Sequence, residues 1–377
     1  MHFLLIPDSF KGSLTAKAVA QIMQKTIRSK LPQSQCTVFP FSDGGEGALD
    51  TLLDKVQGRW VTCKCVDALN RPIQKPYFLF KNEATAWIEL SQTAGLVLLK
   101  NEERNPLETS TLGVGMQIKH ALDQGCQTII LGIGGSATHD LGTGIFSALG
   151  GVLLTKKGVP IFPCGKNLIQ IDHIDSSQLD PQIHKIKLLV ACDVSNPLLG
   201  PHGAAKIYAP QKGATPKMIK RLEEGGTHFL SLLPNSISSQ LETLSGGGAA
   251  GGVAAGLKGL FKAQLKSGFE LLAKKTALRQ VLKKTDVVLT GEGCFDTQSI
   301  HGKLPFRVAK MAAELNTPTL IFAGTTSAQI DTKILPKGTE VFNCTPSGQR
   351  SEQAMVNAEE NLTQQLFAVL DRFSTLS

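Results

Sequence analysis

Short apolar runs near both ends of the chain are the feature that most constrains its fold. Residues 2–7, "HFLLIP", and residues 36–41, "CTVFPF", have the length and composition of buried parallel strands. Between them, residues 14–31 place apolar side chains at helical spacing, at Ala18, Ile22, Met23, Ile27 and Leu31. The order strand, loop, helix, strand predicts a β-α-β unit, whose first loop lies where open α/β sheets bind ligands.

The last third of the chain repeats this order. Apolar runs predict three further strands, at 286–291, 319–324 and 340–344. Helices are expected near 305–315 and over 351–373. Five strands that alternate with helices suit one doubly wound parallel sheet, and neither end of the chain holds enough strands alone.

The length of 377 residues favours two domains. We predict an α/β fold in which residues 1–68 plus 281–377 form a discontinuous domain and residues 69–280 form an inserted second α/β domain with glycine-rich loops. Strands of the insert are expected at 128–135 and 187–193. Polar stretches predict surface loops near 166–186 and 234–245.

Composition argues against several classes of protein. The 39 basic and 31 acidic residues give a formal charge of +8, but no long basic run or nucleic-acid motif occurs. The eight cysteines include no C-x-x-C pair, so reduced cysteines are expected, with Cys63 and Cys65 on one face of a strand. No signal-peptide pattern or apolar membrane span is visible. We expect a cytoplasmic monomer or homodimer that binds neither nucleic acid nor membrane.

The stretch "LGIGGSATHDLGTG" (131–144) predicts a strand, a glycine loop and a helix that begins near Asp140. Backbone N–H groups at such a helix start attract anions, and hydroxyls add donors. This pattern favours a phosphate site at Gly134, Gly135, Ser136, Ala137 and Thr138. The alternative is a tight turn in which His139 or Asp140 caps the helix. A loose G-x-G-x-x-A match is weak, because no acidic residue follows at the spacing that ribose binding requires.

Two further loops in the insert carry glycine or oxygen ligands. In "SGGGAAGG" (245–252), Gly247 and Gly248 would allow close approach of a phosphate or, equally, of a packed helix. Asp193 and Asn196 follow a predicted strand and suit Mg²⁺, although Asp193 could also be a general base. The alternative there is an Asx-turn before Pro197.

The predicted discontinuous domain carries three loops of the same kind. "PDSFKGS" (7–13) contains Asp8, Ser9, Lys11 and Ser13, and "SDGGEG" (42–47) contains Asp43 and Glu46. "TGEGCFDTQSIHGKLP" (290–305) contains Glu292, Asp296 and Lys303, and the lysine lies just before a predicted helix start. Each loop has an ordinary explanation alone. Together, acid-and-glycine loops after strands predict a site for an anionic, metal-associated ligand, as in phosphoryl transfer.

The motifs of P-loop kinases and of protein kinases are missing from the chain. It contains no G-x-x-x-x-G-K-[ST] loop and no H-R-D or D-F-G set. A kinase with this sequence must therefore belong to another family.

Seven blocks, in this order, resemble bacterial type I glycerate kinases: "PDSFKGSL", "SDGGEG", "RNPLETSTLG", "GGSATHDLGTGIFSALGG", "ACDVSNPLLGPHGAA…PQKGATP", "GGGAAGG" and "TGEGCFDTQS…GKLP". The resemblance runs from residue 2 to the last helix. It implies ATP-dependent phosphorylation of D-glycerate with Mg²⁺, on the 2-hydroxyl, to give 2-phosphoglycerate and ADP. It also implies two α/β domains, one of them flavodoxin-like, which agrees with the five predicted strands.

The resemblance suggests a role for each loop. The carboxylate of glycerate would pair with Lys11 and the hydroxyls of Ser9 and Ser13. The other expected substrate residues are Asp8, Asp43, Glu46 and Asn196. The expected nucleotide residues outside the 134–138 loop are Asp140, Gly247, Gly248, Glu292 and Lys303. Asp193, with Asp43 or Asp296, would hold Mg²⁺ or take the hydroxyl proton, and the sequence does not rank these acids.

The chain departs from the family pattern at five positions, which are His139, Leu141, Ser195, His202 and Cys294. The family usually has asparagine at the first of these, and an arginine is common where Cys294 stands. Loss of that arginine leaves Lys303 as the nearby cation, and Ser195 in place of an acid puts more weight on Asp193.

Two other hypotheses about the function remain. The chain could be a kinase for another small hydroxy acid, or a nucleotide- or sugar-acid-binding protein without catalysis. A dinucleotide-dependent oxidoreductase is disfavoured by the missing ribose acid.

Overall fold

A computed structural model describes residues 1–39, 41, 51–52, 55–300, 302–327 and 332–373. These residues divide into two compact units. The first comprises residues up to 52 together with 272–373, and the second comprises 55–271. No helix in the described ranges combines the length and the apolar character needed to cross a bilayer.

The strands follow in chain order: β1 (His2–Leu5), β2 (Gln35–Val38), β3 (Gly58–Val66), β4 (Pro72–Phe80), β5 (Thr85–Glu89), β6 (Thr128–Gly132), β7 (Val152–Leu154), β8 (His173–Asp175), β9 (Lys187–Ala191), β10 (Gln264–Lys266), β11 (Val287–Phe295), β12 (Thr319–Thr326) and β13 (Thr339–Asn343).

The helices in the described ranges are α1 (Ala16–Lys30), α2 (Ser91–Ala94), α3 (Leu112–Asp123), α4 (Thr143–Ala148), α5 (Ala204–Tyr208), α6 (Pro216–Ser231), α7 (Asn235–Glu242), α8 (Ala249–Phe261), α9 (Gly268–Lys275), α10 (Leu278–Leu282), α11 (Thr297–Ile300), α12 (Leu304–Ala313), α13 (Ser351–Val356) and α14 (Ala358–Leu370).

The first unit is built on a parallel sheet with the order β13-β12-β11-β1-β2. Alternate residues of β12 show how both faces are covered. Phe322 belongs to the apolar core that α1 and α14 share with the sheet, whereas Ile321 packs with Ala309 of α12 on the other side. The order is that of a flavodoxin-like doubly wound sheet, so the predicted fold class and the five expected strands are confirmed.

The second unit contains a six-stranded mixed sheet with the order β10-β9-β6-β5-β4-β3. Strands β3, β4 and β5 pair antiparallel, and β5, β6, β9 and β10 pair parallel. Its core joins the sheet to α3, α4 and α8, through side chains such as Val114, Ile145 and Val253. Because β6 and β9 are parallel neighbours, the loops that follow them meet at one edge of the sheet.

Some predicted elements differ from the observed ones. The strand expected at 286–291 continues to Phe295, because Cys294 and Phe295 still pair with β12. The surface loop expected near 234–245 is wrong, since α7 lies there and buries Leu241 in the core. The stretch 166–186 contains β8, which pairs with β7. The closing helix is divided at Asn357 into α13 and α14.

The predicted domain boundaries stay a prediction, because compact units need not fold separately. The units change at 54/55 and 271/272, whereas the sequence suggested 68/69 and 280/281. Pairing explains the first difference: β3 forms a nine-residue antiparallel ladder with β4, so both strands belong to the same unit.

The glycine-rich helix α8 packs closely on the loop that follows β6. A Cβ at Gly256 would overlap the carbonyl oxygen of Leu141. Residues 250–252 interrupt the helix with positive φ angles, and the Leu141 N–H donates to the Gly251 carbonyl at 3.2 Å. These glycines therefore allow two backbone segments to come into contact.

Gly256→Ala is expected to destabilise the protein by about 1–3 kcal/mol, because rigid backbone must move to make room. Gly226→Ala in α6 is the matched control. Its Cβ would meet only the end of the Leu199 side chain, at 3.0 Å, and alanine favours a helix. Thermal unfolding of the two variants measures the difference, and equal midpoints would contradict this packing argument.

Candidate active site

The first unit has a cavity of about 390 Å³. It opens at the carboxyl ends of the parallel strands, beside the neighbours β1 and β11, where the strand order reverses. This is the place where doubly wound sheets bind ligands. The predicted site residues that line it are Asp8, Ser9, Lys11, Ser13, Glu292 and Lys303. The structure therefore brings the predicted loops 7–13 and 290–305 together at one site.

Backbone contacts hold the 7–13 loop against β11. The Asp8 N–H donates to the Gly291 carbonyl at 2.8 Å. A Cβ at Gly293 would lie only 3.0 Å from the backbone nitrogen of Lys11, so glycine favours this close approach. The Asp8 carboxylate accepts the Ser9 N–H at 2.6 Å. The Ser13 hydroxyl donates to the Phe10 carbonyl at 3.0 Å, whereas exposed Lys11 has no ion-pair partner among the described residues.

Lys303 links two acids beside the cavity. Its ammonium group lies 3.0 Å from Glu292 Oε2 and 3.3 Å from Asp296 Oδ1. Burial lowers the pKa of Lys303, but both carboxylates outweigh this and raise it. The pKa of Asp296 is held low: burial raises it, and the Ser299 N–H and Lys303 more than compensate. Both groups are therefore charged at neutral pH.

Glu292 differs from Asp296 because it is buried. Its side chain is 6% exposed, and Oε1 has no hydrogen-bond partner among the described residues. Burial raises the pKa of Glu292, Ser299 and Lys303 partly offset this, and the nearby Asp8 carboxylate adds to it. The sequence predicted Glu292 in a loop, whereas it lies within β11, and the pairing of that strand fixes its position.

The predicted phosphate loop of the second unit follows β6. Gly134 and Gly135 are half-buried, whereas Ser136, Ala137 and Thr138 are buried. The loop is shaped by Lys212, whose side chain is enclosed. Lys212 Nζ donates to the Ser136 hydroxyl and the Thr138 carbonyl, both at 2.7 Å. Burial lowers the pKa of Lys212 to about 7, against the attraction of Asp140.

Asp140 is the centre of a hydrogen-bond network in this loop. Its buried carboxylate accepts the N–H and hydroxyl of Thr111, both at 2.8 Å, and the N–H groups of Gly142 and Gly144 at 3.2 Å. Burial raises the pKa of Asp140, and these donors partly offset it. The predicted helix starts at Thr143 rather than near Asp140 and has only six residues. This geometry favours a structural role for Asp140.

Asp193 and Asn196 follow β9 but take part in different contacts. Asp193 Oδ2 accepts the N–H of Phe269 at the start of α9, at 3.0 Å. The Asn196 amide is engaged at both ends, since Oδ1 accepts the Tyr208 hydroxyl at 2.6 Å and Nδ2 donates to the His202 carbonyl at 3.0 Å. The structure therefore gives Asn196 a role in shaping the 196–208 loop.

Gly247 and Gly248 lie at the start of α8, close to this loop. Their N–H groups donate to the carbonyls of Leu244 and Asn196, at 2.9 Å and 3.0 Å. A Cβ at Gly248 would overlap the Pro197 carbonyl. Of the two readings left open by the sequence, close packing therefore has direct support.

Asp43 and Glu46 lie outside the described residues. In the ranges that are described, no group of three or more His, Cys, Asp or Glu side chains is arranged to hold a metal ion. Sequence reasoning missed Lys212 and Thr111 as site residues. Both lie within the blocks "PQKGATP" and "RNPLETSTLG" that carry the resemblance, but burial of a lysine is not visible in a sequence pattern.

The chain matches the model of the glycerate kinase family over residues 3–374. It is 39% identical to a glycerate kinase of Haemophilus influenzae, over 86% of both chains. It is 36% identical to the glycerate 2-kinase of Escherichia coli K12, over 86% of this chain and 85% of the relative. A crystal structure from Salmonella typhimurium LT2, assigned to glycerate kinase 2, superposes with a TM-score of 0.80 at 36% identity, covering 100% of this chain and 98% of the other.

The fold and these similarities define an α/β kinase. The chain belongs to the glycerate kinase family, as the sequence resemblance predicted.

His139 makes the stability of the protein sensitive to acid. It is buried, its Nδ1 has no partner among the described residues, and burial and Lys212 lower its pKa to about 3. The ordinary value is 6.5, so the unfolded chain binds the proton first as the pH falls. The contribution of neutral His139 to the free energy of unfolding is therefore fully present above about pH 6.5, and it is lost progressively between that value and about pH 3.

His139→Asn is expected to remove this loss. Between pH 7 and pH 5 the wild-type protein should lose about 2 kcal/mol more stability than the variant. Denaturant unfolding at both pH values measures it. Parallel losses in the two proteins would show that His139 does not titrate in this way.

Proposed function

We propose that the protein transfers the γ-phosphoryl group of ATP to the 2-hydroxyl of D-glycerate, to give 2-phosphoglycerate and ADP. The match to the glycerate kinase family over residues 3–374 carries this proposal. The name of the Escherichia coli relative, glycerate 2-kinase, supports the 2-hydroxyl as the acceptor. The cavity of the first unit also supports it, because cations, hydroxyls and carboxylates line it at the carboxyl ends of the strands and suit a small hydroxy acid.

Glycerate would bind through its carboxylate to Lys11, which has no competing ion pair among the described residues. Ser9 supplies a hydroxyl in the same cavity. The Ser13 hydroxyl already donates to Phe10, so its predicted role is reduced to that of an acceptor.

The ATP phosphates would lie on the loop after β6, with donors from the Gly134–Gly135 backbone and the Ser136 hydroxyl. Lys212 supports this assignment because it holds Ser136 and the Thr138 carbonyl in place. It also puts a titratable cation next to the loop. Thr138 Oγ1 is buried without a partner among the described residues, which is consistent with a loop shaped for a further contact.

A magnesium ion fits the donors that are present. Mg²⁺ takes one or two carboxylates and completes its shell with water and phosphate oxygens, so a three-acid cluster is not required. Asp193, at the end of β9, would hold it, and Asp43 was the other predicted ligand. The bound ion would neutralise charge on the transferred phosphoryl group.

The proton of the reacting hydroxyl needs a carboxylate that can accept it. Asp296 is a weak candidate, because its ion pair with Lys303 keeps its pKa low and its oxygen engaged. Asp193, which also accepts the Phe269 N–H, keeps its predicted role as either the base or the metal ligand. One oxygen atom cannot serve in both roles at once.

A coupled ADP-release assay tests the function. D-glycerate is expected to give the highest kcat/KM among D-glycerate, L-glycerate, tartronate and hydroxypyruvate. Phosphorus NMR should show 2-phosphoglycerate. A 3-phosphoglycerate product would refute only the position of transfer, and absence of ADP with D-glycerate would refute the proposed activity. Faster turnover of another acid would favour a kinase for that acid.

Lys212→Met should raise the KM for ATP by roughly tenfold or more, because it removes the hydrogen bonds that hold the Ser136 hydroxyl and the Thr138 carbonyl in place. Charge-assisted hydrogen bonds of this kind contribute about 1.5–3 kcal/mol to the stability of the geometry that they hold. The KM for D-glycerate should change less. Lys217→Met, at an exposed position of α6, is the control. An unchanged KM for ATP in a folded Lys212 variant would contradict the placement of the phosphates on this loop.

A further inference from the structure

Glu292 lines the cavity of the first unit and carries a buried acceptor without a partner among the described residues. The residue is 4% exposed and lines that cavity. Oε2 is paired with Lys303 at 3.0 Å, but Oε1 has no partner among the described residues. Buried polar atoms are nearly always hydrogen-bonded, so an unpaired carboxylate oxygen on a residue that lines a cavity points to a donor that a bound ligand supplies.

The charges around the cavity limit what that donor can be. Lys303 is shared between Glu292 and Asp296, so its charge is already balanced. Lys11 is the lining cation without an ion pair among the described residues. Asp8 and Glu292 are both acids, and each raises the cost of a second anion near it. A ligand that fits presents one carboxylate to Lys11 and a neutral hydroxyl to Glu292.

We propose that Glu292 is a specificity-determining residue that accepts a hydrogen bond from the 3-hydroxyl of D-glycerate. This inference rests on the proposed function and deepens it. The carboxylate of the substrate pairs with Lys11, and the 2-hydroxyl must face the phosphoryl donor. The 3-hydroxyl is then the group left for Oε1. The sequence had assigned Glu292 to the nucleotide, but the structure groups it with Asp8, Ser9 and Lys11.

D-lactate is the matched probe, because it has the same carboxylate and 2-hydroxyl and lacks the 3-hydroxyl. The measured quantity is the ratio of kcat/KM for D-glycerate to that for D-lactate. Where D-lactate turns over slowly, its inhibition constant against D-glycerate gives the same comparison. A site built to bind a hydroxyl rejects the analogue without it, so the wild-type protein should strongly prefer D-glycerate.

Glu292→Ala should lower this ratio about 10- to 100-fold, the range for a hydrogen bond to a charged group. Glu292→Gln keeps a neutral acceptor and should give an intermediate ratio. Glu223→Ala is the control: it also has a buried oxygen without a partner among the described residues, but it lies in the second unit and does not line this cavity. Its ratio should equal that of the wild-type protein. Thermal unfolding confirms that each variant is folded.

Three outcomes would overturn the inference. Equal losses with both substrates in Glu292→Ala would mean that the residue only holds Lys303 or acts on the 2-hydroxyl. A change in the preference for ATP over 3′-deoxy-ATP, with no change in the glycerate ratio, would mean that Glu292 binds the ribose. If the wild-type protein releases no ADP with D-glycerate, the proposed function fails first and this inference fails with it.

Discussion

The parallel pairing of β1 with β11 is the interaction on which the first unit depends. Phe3 lies opposite Val287, and the Thr290 hydroxyl donates to the Ile6 carbonyl at 2.7 Å, across 284 positions of sequence. The pairing places the strand-order reversal between these two strands. It also sets the loop that carries Asp8 and Lys11 against the end of β11, where Glu292 lies. The cavity and its charges follow from this one register.

The second unit orders its loops by burying charge. Asp140 is enclosed, yet four donors compensate for the lost water, and Lys212 interacts favourably with it. An isolated buried ion would be very costly, so the Asp140 carboxylate depends on its donors at Thr111, Gly142 and Gly144. Close packing accounts for the small residues in the adjoining helix: α8 reaches the loop because glycines such as Gly256 leave space for the Leu141 carbonyl.

Strand positions and fold class were readable from the sequence because buried parallel strands are short continuous apolar runs, as in residues 319–324. The loops after β1 and β11 were recognisable by their acids and glycines. Pairing, by contrast, is not local. The extension of β11 past Glu292 depends on its neighbour β12, and burial of Lys212 depends on residues 74 and 76 positions away. The helix at 235–242 was not predicted because its sequence, NSISSQLE, is mostly polar and buries one leucine, Leu241.

The pairing of β1 with a strand more than 280 residues later affects how the protein is synthesised and folded. At about 5–20 residues per second, a ribosome needs on the order of 10–60 s to travel from β1 to β11. During that interval β1 can pair only with β2, and its other edge has no partner in the order β11-β1-β2. The second unit, residues 55 to 271, lies between β2 and β11, so the ribosome completes it before β11 appears. Nascent chains of this protein thus carry an open apolar strand edge, of the kind that chaperones bind and that aggregates recruit.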